Sequence, residues 1–268
     1  MVLSALHLYG RLIAVSVREQ MQYRASFLMQ TASHMLVTGT EIVAIWAMFD
    51  RFGSLRGWTL PQVALFYGLV NVVFSISDAT TRGFDIFDRL VKAGDFDRIL
   101  LRPRTTVLQL MGYEFRLKCL GRTTQALSVL IWALAALDLS WTVQRTALLG
   151  VTIAGGVCFF NALFVLQATL AFWTIETLEV MSTLTCGGVQ TAEYPMAIYQ
   201  TWFRKFFTFI VPLACVSYYP LVGVLDRGES MGVAPAVTWL ALLAGPAFFI
   251  VSLVVWRAGV RHYTSTGS

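Results

Sequence analysis

Apolar residues in this chain come in long runs separated by short polar stretches. The runs at 27–49, 61–77, 123–139, 146–173 and 236–256 have the length of a membrane span, about 20 residues. Pro61 and Pro235 open two of them, and proline suits a first helical turn because its missing N–H costs nothing there. Residues 1–25 follow another pattern. Leu3, Leu6, Ile13, Val17 and Met21 recur at near-helical spacing, while His7, Arg11 and Arg18 fall elsewhere. This predicts a helix lying in the membrane surface, the alternative being a cytosolic extension of the first span. Because Arg11, Arg18 and Arg24 interrupt the region, no cleavable signal peptide is expected.

The stretch 174–230 is apolar but broken by Gly187, Gly188, Pro195, Pro212 and Pro220. Two arrangements fit. In one, 174–204 is cytoplasmic and 205–225 is the fifth span. In the other, the fifth span is 175–191 and 192–225 folds back from the outer face as a re-entrant segment. Both give six spans with the two termini on one side. Excess Lys and Arg mark that side as cytoplasmic. The first arrangement keeps Arg204 and Lys205 inside, whereas the glycines and prolines suit a broken segment covered by protein or water.

Composition supports the all-α membrane reading. Hydrophobic residues make up 57% of the 268, charged residues 13%, and mean hydropathy is +0.66, against about 25% charged in soluble domains. The net charge of +5 follows from the cytoplasmic loops of a membrane protein, and no nucleic-acid partner is expected. Cys119, Cys158, Cys186 and Cys215 form no CxxC pair, so buried free thiols are expected. The three histidines have no metal-ligand spacing. Trp58, Trp141, Trp173, Trp239 and Trp256 fall at the ends of predicted spans, as an interfacial belt would.

Charge concentrates in one place. Between residues 78 and 104 lie five Asp, five Arg and one Lys. Phe84, Phe87 and Val91 recur at helical spacing, Gly94 sits where a left-handed stop belongs, and Asp95 can cap a second helix over 96–102 before Pro103. The loop at 82–104 therefore reads as two short helices with apolar faces and a dense polar face of mixed sign. Headgroup binding favours cations alone. Interspersed Asp favours a protein partner whose register is set by complementary charge, with Phe84, Phe87, Ile99 and Leu100 filling its groove. The candidate contact residues are Phe84, Asp85, Phe87, Asp88, Arg89, Gly94, Asp95, Asp97, Arg98, Arg102 and Pro103.

Inside the first span, His34 and Glu41 are candidates for a translocation path, or for ion coupling. Glu176 and Glu179, with Asp78 and Asp85, could serve a membrane enzyme, but carboxylates at helix ends are usually structural. None of Lys92, Lys118 and Lys205 stands in a phosphate-binding Gly-x4-Gly-Lys-Ser/Thr loop. The chain is not expected to hydrolyse ATP.

The pattern GFD-x-FDRL-x3-GDFDRILLRP from Gly83, followed by LQLMG at 108–112, resembles the permease subunit of bacterial type-2 ATP-binding-cassette (ABC) exporters. The stretch GGVQTAEYPMAIYQTWFRKFFTFIVPLACVSYYP at 187–220 is similar to that superfamily's signature between spans five and six. The resemblance implies six spans and cytoplasmic termini in the bacterial inner membrane. It also implies coupling helices between spans two and three that dock a separate ATPase, and a second permease copy or paralogue. The outer re-entrant segment would include Gly187, Gly188, Tyr194, Pro195, Trp202, Pro212 and Pro220. No cofactor is implied on this chain; ATP and Mg would sit on the partner.

Overall fold

The computed structural model describes residues 2–22, 24–117, 119–173, 178–228 and 234–263. The structure is 80% helical, with no strand among the described residues. Helix α1 (Val2–Gln22) precedes the long α2 (Arg24–Phe52). Helix α3 (Leu60–Thr80) has Pro61 in its first turn, and the Thr59 N–H donates to Gln62 Oε1 at 3.1 Å. The charged loop holds α4 (Arg82–Asp85), α5 (Phe87–Lys92), α6 (Asp95–Leu100) and α7 (Thr106–Met111). Next come α8 (Cys119–Ala136), α9 (Val143–Leu170) and α10 (Leu178–Ala192). A 3-10 turn at Met196–Ile198 leads to α11 (Thr201–Lys205) and a π-helical turn at Phe206–Ile210. The chain closes with α12 (Leu213–Val216), α13 (Tyr218–Val224), α14 (Pro235–Ala241) and α15 (Ala244–His262).

Among the described residues, five helices are long and apolar enough to cross a membrane, or six if the bent pair Thr201–Ile210 and Leu213–Val224 counts as one. Helix α3 is the bundle's centre: 78% of its most apolar window is buried, against 17% for α2. It packs between α8 and α9. Helices α9 and α15 touch where Gly155 meets Gly245. A Cβ on Gly245 would lie 2.1 Å from the Gly155 carbonyl oxygen, so only glycine permits this approach, a device frequent between membrane helices.

Several expectations change in the folded chain. Gly187 and Gly188 lie inside the continuous helix α10; the break falls after Ala192, around Pro195. Residues 174–177, the expected start of the fifth span, lie outside the described residues. Trp58 and Trp256 do not join an interfacial belt, being 0% and 1% exposed. Trp58 packs on Phe66 and Tyr218, and Arg227 covers its ring at 4.9 Å. Cys186 is exposed rather than buried.

The segment after α10 leaves and returns at the same end of the bundle. Near its start, the Ile198 carbonyl accepts from Arg56 Nη1 at 2.9 Å; at its end, Arg227 Nη1 donates to the Gly57 carbonyl at 3.1 Å. Both anchors belong to the turn between α2 and α3. Between them the chain bends by 74° near Pro212. There Leu213 and Val216 line a small crevice together with Leu69, Val70 and Val73, halfway down α3.

Candidate functional site: the charged loop and a polar seam

The loop between α3 and α8 is divided into shorter helices than the spacing predicts. Ile86 interrupts the first helix (φ −103°, ψ 15°), splitting it into α4 and α5. Gly94 takes φ +73° and itself occupies the cap position of α6, so Asp95 is a first-turn residue rather than the cap, and α6 ends at Leu100. A positive φ there is what makes glycine necessary.

The aromatic face of the loop is turned inward. Phe84, Phe87 and Phe96 are each 0% exposed and Ile99 is 5%. Phe87 meets Phe96 at 4.9 Å, Trp256 at 5.0 Å and Phe172 at 5.1 Å between ring centroids. Phe84 meets Trp256 at 5.1 Å. Edge-on pairs of this kind add about 0.5–1.5 kcal/mol each beyond area burial. Trp256 is further fixed by its Nε1–H donating to Thr106 Oγ1 at 3.0 Å. This corrects the expectation that Phe84, Phe87 and Ile99 fill a partner's groove: they weld the loop to the ends of α9 and α15. Leu100, at 40% exposure, and Leu101, at 85%, remain outside.

The charges divide in the same way. Asp78 pairs with Arg116 at 2.9 Å, Arg116 also approaches Asp85 at 3.6 Å, and Arg82 bonds Asp85 and reaches Glu114 at 4.0 Å. Asp85 thus serves the chain's own network. Asp88 lies 3.8 Å from Lys92, and Asp95 lies 3.6 Å from Arg98. Asp97 stands beside Tyr263, whose hydroxyl is pushed up to about 12, first by burial and then by that carboxylate. The outward face carries Arg89, Lys92, Arg98, Arg102, Pro103 and Arg104, all exposed, around the apolar tip of Leu101. Gln109 holds this tip in shape, its amide donating to the carbonyls of Ile99 and Arg104, both at 3.1 Å.

Helix α1 belongs to this end of the bundle. The Phe115 N–H donates to Ser16 Oγ at 2.9 Å and the Leu117 N–H to Gln20 Oε1 at 3.1 Å. The polar face of α1 therefore holds backbone between α7 and α8, a contact that periodicity alone did not reveal.

From the loop a polar seam runs into the bundle. Tyr67, Asn71, Ser75 and Asp78 lie one turn apart along one face of α3. Cys119 Sγ contacts Asp78 at 3.2 Å, and Thr123 donates to Ser75 Oγ at 2.9 Å. Arg122 places Nε and Nη2 on Asn71 Oδ1 at 2.9 and 2.7 Å and lies over Phe74 at 4.7 Å. The Asn71 amide donates to Glu193 Oε1 at 3.0 Å. The Tyr67 hydroxyl donates to Glu41 Oε2 at 3.1 Å, and Thr38 bonds Gln125. Asn71 is near the middle of α3, so side chains from α2, α3, α8 and the end of α10 meet about 15 Å inside the bundle.

Of the two path candidates, Glu41 joins this seam, while His34 stays on the exposed face of α2. Asn71, Arg122 and Glu193 were missed as site residues, although the four-, four- and three-residue spacing of polar positions along α3 could have pointed to the seam. Glu176 and the Glu179 side chain lie outside the described residues. In the re-entrant region, Trp202 is 67% exposed, Pro195 and Pro220 are buried, and Tyr194 and Pro212 are half-buried.

A bundle of apolar helices long enough to cross a membrane, with a welded loop presenting charge at one end, has the form of a transporter's membrane subunit. The family model described as ABC-2 family transporter protein matches residues 35–267. The chain belongs to that family: it is the permease component of an ABC transporter, a multi-pass membrane protein whose family works with ABC ATPases. No curated protein and no solved structure matches it.

Proposed function

We propose that this chain is the permease subunit of an ATP-driven exporter in a bacterial inner membrane, with both termini cytoplasmic. Two copies, or this chain and a paralogue, enclose the translocation path. ATP and Mg act on a separate ATPase, whose movement enters through the loop of α4–α6. The observation that carries this reading, beside the family, is the welded loop. Force applied at Leu101 and its arginines passes through Phe87 and Trp256 to α9 and α15, and through Arg116 and Asp78 to α3.

The partner's groove should be apolar at its floor and acidic at its rim, because the exposed loop charge is mainly basic. Changing both Arg98 and Arg102 to Glu should release the ATPase during co-purification and abolish export, while the permease still inserts. An ATPase that stays bound, with transport intact, would place the docking surface elsewhere. In this reading the segment 194–227 is re-entrant at the outer face and α10 is the fifth span.

A second reading, ion-coupled transport, is favoured by the carboxylates Glu41 and Glu193 within the membrane. It requires transport that follows the proton gradient in a strain whose ATPase is inactive.

A further inference from the structure

A polar pocket opens where α1 meets the start of α2. Its volume is about 590 Å³, within the roughly 300–1,000 Å³ of small-molecule sites. Glu19 of α1 and Glu114 of the link between α7 and α8 both line it, together with Ser26, Phe27 and Gln30 of α2. The pocket is a built feature, because Ser16 and Gln20, which also line it, hold that link against α1. The Phe115 N–H donates to Ser16 Oγ at 2.9 Å and the Leu117 N–H to Gln20 Oε1 at 3.1 Å.

We infer that this pocket binds the headgroup of an ethanolamine phospholipid, with Glu19 and Glu114 as counter-charges to its primary ammonium. Three observations lead there. The first is charge. Among the described lining residues none is Lys or Arg. Glu19 makes no ion pair within 4.0 Å among the described residues, and Glu114 only approaches Arg82 Nε at 4.0 Å, with 43% of its side chain exposed. Two carboxylates in a pocket without a lining cation repel an anionic headgroup and attract a cationic one.

The second observation is the donor set. Among the described residues no group of three or more His, Cys, Asp or Glu could hold a metal ion, and a bare ion would leave a pocket of this size mostly to water. Carboxylates, amide oxygens and hydroxyls all accept hydrogen bonds, and a primary ammonium brings three N–H donors to them. The Gln30 amide donates to Ser26 Oγ at 3.4 Å, which leaves its Oε1 as a further acceptor. A quaternary ammonium has no N–H to offer these groups.

The third is depth. Helix α2 has 29 residues, which makes it about 43 Å long. A bilayer is about 40–45 Å thick with its headgroups, around a hydrocarbon core of about 30 Å. A helix of that length crosses both headgroup layers, and residues 24–27 fall in one of them. The pocket therefore opens at the level of phospholipid headgroups. Directly beyond it, Leu28, Met29 and Leu36 are 64%, 74% and 72% exposed, an apolar flank for acyl chains. A soluble amine would meet the carboxylates but gain nothing from that flank.

The inference does not rest on the export reading, and its test reads binding alone. The full chain in detergent is titrated by native mass spectrometry with dioleoyl phosphatidylethanolamine, and with phosphatidylcholine and phosphatidylglycerol of the same chains. Water-soluble phosphoethanolamine is the competitor. One saturable ethanolamine-lipid adduct is expected, about tenfold or more tighter than either other lipid, as for hydrogen bonds to charged groups. Glu19→Gln should remove that preference while phosphatidylglycerol binding, which reports an intact fold, stays unchanged. Ser26→Trp, at an exposed position, should abolish the adduct by filling the pocket. Equal binding of the three lipids, or a preference that survives Glu19→Gln combined with Glu114→Gln, would overturn the inference. Phosphoethanolamine that competes as well as the lipid would also overturn it, by making the pocket a site for a soluble amine.

Discussion

Asn71 does more than any other side chain to hold the seam together. Its oxygen accepts from two nitrogens of Arg122, and its amide donates to Glu193. Both charged groups lie at membrane depth, where water cannot replace a lost partner. Asn71→Leu should therefore cost roughly 1–3 kcal/mol or more, as for buried polar groups left unsatisfied. Arg122→Met in the Asn71→Leu background should cost less than in the native chain, because the partner is already gone. A double-mutant cycle of thermal unfolding in detergent measures this, with a coupling of about 0.5–3 kcal/mol expected for residues in one network. Strictly additive effects would make the seam incidental. The spacing of Tyr67, Asn71, Ser75 and Asp78 was visible in the sequence. Glu193 was not assignable to it, because 122 residues separate it from Asn71 and the contact exists only once α10 ends beside α3.

At the scale of elements, the loop between α3 and α8 shows how far periodicity reaches. The spacing of Phe84, Phe87 and Val91 correctly marks an apolar face. Periodicity cannot say what covers that face, and the residues that do, Phe172 and Trp256, lie far along the chain. Gly94 offers a test. At φ +73° a β-branched residue is strained, so Gly94→Val should cost about 1–3 kcal/mol locally and tilt α6 against α5. ATPase co-purification should fall while membrane insertion holds; undiminished co-purification would show that the α5–α6 turn is not part of the docking surface. Gly245→Val tests a different element contact. A Cβ 2.1 Å from the Gly155 carbonyl must push α15 from α9, and overpacking of this kind costs about 1–3 kcal/mol or more. A lower thermal midpoint is the expected readout.

For the whole molecule, the path of residues 194–227 decides the topology. Because Arg56 holds its start and Arg227 its end to one turn, positions 200–205 should be reached from outside the cell. In a variant without the four native cysteines, Gln200→Cys should react with an impermeant thiol reagent in intact cells. Labelling only after lysis would put that position on the cytoplasmic side and make 205–225 a span.

Sequence alone determined what depends on local composition and spacing. Apolar runs of bilayer length, prolines in first turns and the glycine at the α5–α6 turn are written into neighbouring residues, and the motif around Gly83–Pro103 points to the family. The tertiary structure decided what depends on distant partners. In a membrane, an apolar side chain has nearly the same environment against lipid as against protein, so hydrophobicity cannot tell Trp58 and Trp256 in the core from Trp141 and Trp173 at the surface. Nor can charge reveal its own pairing. Asp85 and Arg98 look alike along the chain, yet packing turns one into the network of Arg82 and Arg116 and leaves the other on the outward face.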